Sequence, residues 1–179
     1  MTRYARGWIG TVIALACLTI SAAVSAHSAS DAYLTLTIVK SGAAGNIVLH
    51  GQWDIALRDL DFVLQLDNDG DGRLTWAEVR QHQAAIEHYA FRYLQFAGDA
   101  GNSCSIKPVK QMIDDHADGA YAALFFDAVC SRASRKLILH YSLFFAIDPS
   151  HRGIFVMNSG ANVSTALLSP ENAQIDLKF

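Results

Sequence analysis

The sequence predicts an α+β protein: an antiparallel β-sandwich carrying an inserted helix–loop–helix at about residues 54–97. Three observations carry that expectation. Two stretches between residues 32 and 55 are rich in Leu, Ile, Val, Thr and Tyr, residue types that fit a pleated, half-buried surface. Apolar residues then recur at helical spacing on both sides of the acidic segment "DNDGDGRLTWAE", residues 67–78. From Cys104 onward, short apolar runs alternate with Gly-, Pro-, Asn-, Asp- and Ser-rich punctuation, the texture of strands joined by turns.

The chain opens with "MTRYARGWIGTVIALACLTISAAVSA". Arg3 and Arg6 make a basic start, an apolar run extends from Trp8 to about Ala23, and Val24-Ser25-Ala26 supplies small residues for cleavage. That is the layout of a secretory signal peptide over residues 1–26. The run is also near the lower limit for a membrane span, but no basic stop-transfer cluster follows it. Cleavage leaves one domain from His27 to Phe179 and takes the formal charge from −3 to −5, because two arginines and no acids are lost. A mildly acidic product of this kind does not point to nucleic acid. The remaining apolar runs are too short to cross a bilayer, so no stable membrane insertion is expected after cleavage. The expected location is periplasmic or secreted.

Taken in order, "AYLTLTIVK" (32–40) and "IVLHGQWDI" (47–55) read as a strand pair around the turn-forming "SGAAGN". At Asp54 the period changes. Ala56, Leu60, Val63 and Leu64 fall on one helical face, with Asp54 as the expected N-cap. Past the acidic segment, Val79, Ile86, Ala90 and Tyr93 form a second stripe, which predicts one helix ending near Gly98 or Gly101. About six strands then follow: "CSIKPVKQMI", "AYAALFFDAVC", "RKLILHYSLFFAI", "GIFVMN", "VSTALL" and "AQIDLKF". Phe125, Phe126, Phe144 and Phe145 lie in these runs, where core packing is expected of them. Cys104 and Cys130 are the cysteines of the mature chain, and in an exported protein such a pair predicts a disulfide.

Three carboxylates within five residues repel one another unless a hard cation sits among them. Asp67, Asp69 and Asp71 stand at loop positions 1, 3 and 5, with Gly72 at 6, Leu74 at 8 and Glu78 at 12. This resembles the EF-hand family at every ligand position. The resemblance implies calcium held by Asp67, Asp69, Asp71, the Arg73 backbone carbonyl, Thr75 through water, and a bidentate Glu78. Asn68, at a non-ligand position, is expected to matter little. A second loop, "DDHADGAYAALF" (114–125), has Asp114, His116, Asp118 and Gly119 at positions 1, 3, 5 and 6 but Phe125 at 12. A hairpin turn is the better reading of it.

A longer resemblance rests on "AHSASDAYLTL", "GQWDIALRDLDFVLQLDNDGDGRLTWAEVR" and "HYSLFFAIDPSHRG". Together they look like exported bacterial proteins with one EF-hand, related to the region that precedes the polytopic domain of hydrogenase- and urease-accessory, nickel permease-like membrane proteins. The sequence stops at Phe179 without such a domain, so a separate membrane transporter-like partner is expected by analogy. Calcium binding that stabilises or switches a binding module is the leading expectation. The alternative is a copper- or nickel-handling protein centred on His27 as the mature N-terminus, with His50 as the favoured second ligand. No catalytic constellation is readable, and the protein is expected not to be an enzyme.

Overall fold

The computed structural model describes residues 30–40, 46–98, 103–130 and 136–178. The predicted signal peptide and His27 lie outside the described residues. Elements follow in the order β1 (Asp31–Lys40), β2 (Ile47–Ala56), α1 (Leu57–Leu64), α2 (Trp76–Gln81), α3 (Gln83–Phe91), β3 (Leu94–Gly98), β4 (Ser105–His116), β5 (Gly119–Cys130), β6 (Leu137–Tyr141), β7 (Arg152–Ser159), β8 (Asn162–Leu168) and β9 (Gln174–Leu177). The fold is a β-rich α+β one with two sheets. Six strands pair in the order β4-β5-β2-β1-β7-β8, and three in the order β3-β6-β9.

The expected β1–β2 hairpin is present, antiparallel from Ala32↔Ile55 to Lys40↔Ile47. The all-antiparallel expectation needs correction, because β1 pairs parallel with β7, Asp31↔Arg152 through Thr37↔Asn158. Alternation along a strand fixes which side chains face inward, but it is blind to the direction of a partner more than 100 residues away. "DDHADG" closes the β4–β5 hairpin, with His116↔Gly119 as its last pair and Gly119 at φ +145°. At the other end of that ladder Cys104 and Cys130 are joined by a disulfide, Cα atoms 4.4 Å apart.

Both sheets contribute to one core. Trp53 of β2 lies 5.6 Å from Tyr141 of β6 and 6.3 Å from Phe91 of α3 (ring centroids), and Phe126 of β5 lies 6.2 Å from Phe96 of β3. Phe126 reaches this position by crossing its register partner Gly51, where a Cβ would stand 2.2 Å from its ring. Leu60 of α1, Leu66, Val79 of α2 and Ile86 of α3 are fully buried in the same cluster, so the helical segment is part of the core.

Three element boundaries differ from the sequence expectation. Asp54 is not a helix cap. It is the third residue from the end of β2, and α1 starts behind Ala56 without a side-chain cap. The expected single helix breaks at His82, φ −95° and ψ 7°, and ends at Phe91. There the Arg92 and Tyr93 N–H groups bond three residues back, to Tyr89 and Ala90. "LQFAG" satisfies a two-residue period as well as a helical one, and its pairing with β6 from Leu94↔Tyr141 decides in favour of a strand. Similarly, "RKLILHYSLFFAI" is a strand only to Tyr141. Phe144 then takes φ +59° in a turn where the Ile147 and Asp148 N–H groups both bond to its carbonyl. Phe144 is buried in the core as expected, though not from a strand.

A partly buried polar chain ties four segments together. Ser30 donates to Asp59 Oδ2 at 2.8 Å. Its oxygen therefore accepts from His151 Nδ1–H at 2.7 Å, leaving Nε2 to accept from Tyr141 O–H at 2.8 Å. His151 is wholly buried, and burial pushes its imidazole down to about 4. The ring is thus neutral, as that single-proton chain requires.

Candidate metal centre

The acidic loop is anchored from below before any of its own carboxylates acts. Helix α1 ends at Gln65, φ +53°, in the left-handed region. The two N–H groups that follow, Leu66 and Asp67, both donate to Asp61 Oδ1, at 2.7 and 3.0 Å. Leu66 points into the core. Asp61 therefore fixes the start of the loop, a role that the sequence signals only as one more acid on an amphipathic helix.

Within the loop each aspartate accepts backbone N–H bonds that fold the chain around it. Asp67 accepts from Gly70 and Gly72, both at 2.8 Å, Asp69 from Asp71 at 3.1 Å, and Asp71 from Arg73 at 2.8 Å. Gly72 sits at φ +77°, a conformation in which an L side chain would be strained. The result is that one carboxylate oxygen from each of Asp67, Asp69 and Asp71 lies within 4.8 Å of the other two. These three form an acidic cluster able to hold a metal ion.

Glu78 stands outside that group of carboxylates. Thr75 is the N-cap of α2 and Glu78 its N3 residue, in a complete capping box. Glu78 Oε2 accepts from the Thr75 N–H at 2.9 Å and from its hydroxyl at 2.7 Å, while Oε1 accepts from the Asn68 N–H at 3.0 Å. Bonds from the Thr75 backbone, its hydroxyl and the Asn68 backbone hold the Glu78 carboxyl below the usual range. Glu78 thus braces the two ends of the loop. A bidentate metal bond would compete for the same oxygens. Arg73 is exposed and enters the geometry through its N–H to Asp71. Asn68 is more engaged than its non-ligand position suggests, bonding to Gln81 Oε1 and to the His82 ring, both at 3.0 Å.

Neither the protein-family models nor the curated proteins include a match to this chain. The donor chemistry is what bears on the ion. Asp67, Asp69 and Asp71 offer carboxylate oxygens alone on an exposed loop, a set suited to a hard cation such as calcium.

His27 lies outside the described residues. Its expected partner His50, on β2, stands opposite Thr37, bound through Nδ1 to Asp127 Oδ1 at 2.6 Å.

Proposed function

We propose that this is an exported calcium-binding protein, whose single EF-hand-type loop uses the ion to stabilise a β-sandwich binding module. The observation that carries the reading is the convergence of Asp67, Asp69 and Asp71 between two helical segments. The remaining ligands of the proposed set are Thr75, the Arg73 carbonyl and Glu78, which would give up its bonds to Thr75 and Asn68 to take the ion. Meeting of both sheets' side chains in one core supports the sandwich, and the Cys104–Cys130 disulfide is compatible with export. Among the described residues no helix is long and apolar enough to cross a membrane.

Stabilisation is favoured over sensing on energetic grounds. A sensor must swing its helices apart to expose an apolar groove. Here that would uncover Leu60, Leu66, Val79 and Ile86, all fully buried, at roughly 1.5–3 kcal/mol each. Calcium at 100 times its dissociation constant supplies about 2.7 kcal/mol, less than the opening costs.

Thermal melting in EDTA and in millimolar calcium tests the proposal. Calcium raises the melting temperature of the native protein. Glu78→Gln and Asp67→Ala remove most of that rise, whereas Asn68→Ala, which keeps the backbone N–H to Glu78, retains it. Identical melting with and without calcium would defeat the reading.

A further inference from the structure

Away from the loop, Asp54, Asp114 and His116 form a second group in which one ligand atom from each lies within 4.8 Å of the others. The sheet register brings them together. Ala123 of β5 is the partner of Asp54 on one side and of Met112 on the other. Residues two apart share a face, so Asp54, Asp114 and His116 all stand on the face that carries the small Ala123 side chain. Two of these residues come from the "DDHADG" turn that the calcium loop leaves unused.

Two of the three ligands are held in place. Asp54 is buried, and the Gln52 amide donates to both its oxygens, at 2.9 and 3.1 Å. The His116 ring stacks on Tyr121 at 4.1 Å and lies 4.9 Å from Tyr33. That packing sets His116 Nε2 at 3.6 Å from Asp54 Oδ2, too long for a good hydrogen bond. It is near the roughly 3.3 Å that separates two ligands bound at 2.0–2.1 Å to one tetrahedral ion. A pocket of about 600 Å³ opens over Asp114 and His116, and its other charged residues are Asp31, Asp115 and Asp118. Asp118 is paired with Arg58 at 3.2 Å, and the remaining carboxylates give the pocket a field that favours cations.

We propose that Asp54, Asp114 and His116 bind a divalent first-row transition metal, at a site separate from the calcium loop. The donor set is what separates the two sites. An imidazole nitrogen suits zinc, copper or nickel, whereas calcium takes oxygen ligands. Three protein ligands leave further coordination positions to solvent in the pocket, the arrangement of an open site and not of a closed structural one. A simple ion pair between His116 and Asp54 has no use for Asp114, while a metal draws on all three.

The experiment titrates zinc into the full-length mature protein kept in saturating calcium, followed by calorimetry, with cobalt(II) as the visible-absorption probe. One zinc binds per chain, and cobalt gives the ligand-field bands of a site with nitrogen and oxygen donors. His116→Gln and Asp114→Asn, both on the hairpin arm, each weaken zinc at least tenfold while calcium binding and melting confirm that they fold. His50→Gln, on the same sheet face but bound to Asp127, leaves zinc affinity unchanged. Equal zinc affinity in the native and His116→Gln proteins overturns the proposal, as does the absence of zinc binding at 100 μM metal (about the −5.5 kcal/mol level).

Discussion

His151 shows how one residue's environment becomes a property of the whole protein. Buried between Ser30 and Tyr141, it has a folded-state value of about 4 against the ordinary histidine value of 6.5. Desolvation causes the drop, Arg152 adds to it, and Asp148 opposes it. Because the folded value lies below the unfolded one, the unfolded chain takes up the proton first, and stability falls as pH is lowered from about 6.5 towards 4. Between pH 7 and 5 the expected loss is about 2 kcal/mol. The shifted carboxyls act mostly lower down. Those of Glu78, Glu171, Asp118 and Asp148 are depressed and cost stability only below their unfolded values of 4.5 and 3.8, while the buried Asp54 and half-buried Asp59, raised by desolvation, work in the opposite direction. Denaturant melts at pH 7 and 5 in saturating calcium should show the loss in the native protein. It should be absent in His151→Phe, whose baseline stability is lower. A flat profile in the native protein contradicts a buried neutral His151.

At the scale of elements, contact between strands sets the next two expectations. Gly51→Ala places a methyl 2.2 Å from the Phe126 ring, and that ring is already confined by Phe91 at 5.4 Å and Phe96 at 6.2 Å. Overpacking of this kind costs about 1–3 kcal/mol, which a urea melt resolves. A change under 0.5 kcal/mol would mean that the ring moves freely. The Cys104–Cys130 bond closes a 26-residue separation at the open end of the β4–β5 hairpin. In the chain-entropy model its loss costs about 3–4 kcal/mol, so Cys104→Ala/Cys130→Ala should melt well below the native protein. Elements of this kind were legible where local chemistry dominates: the two hairpins, the disulfide and the loop between helices all follow from turn residues and spacing. What local pattern could not reveal was competition. "YLQFAG" suits either period until β6 supplies a partner. Asp54 resembles a cap until β2 carries on to Ala56. The parallel β1–β7 pair joins residues whose distance in sequence hides them from any window.

For the whole molecule, the acidic loop is not an appendage. Leu66 ahead of it and Val79 behind it are both fully buried in the core shared by the two sheets, and Asp61 and Glu78 brace its ends. An ion bound by Asp67, Asp69 and Asp71 therefore acts on a segment continuous with the core. Its effect should be on global unfolding and not on one fraying loop. The carboxylates of Asp67, Asp69 and Asp71 converge, and that convergence was legible because a motif of alternating acids around a glycine is local. Glu78's role as a brace was hidden, since a capping box and a twelfth-position ligand use the same glutamate at the same spacing. The most direct measurement is calorimetric titration of the metal-stripped mature protein with calcium. The account predicts one site per chain, lost in Asp67→Ala, with the far-UV spectrum unchanged on binding. No heat and no saturation up to millimolar calcium would contradict it.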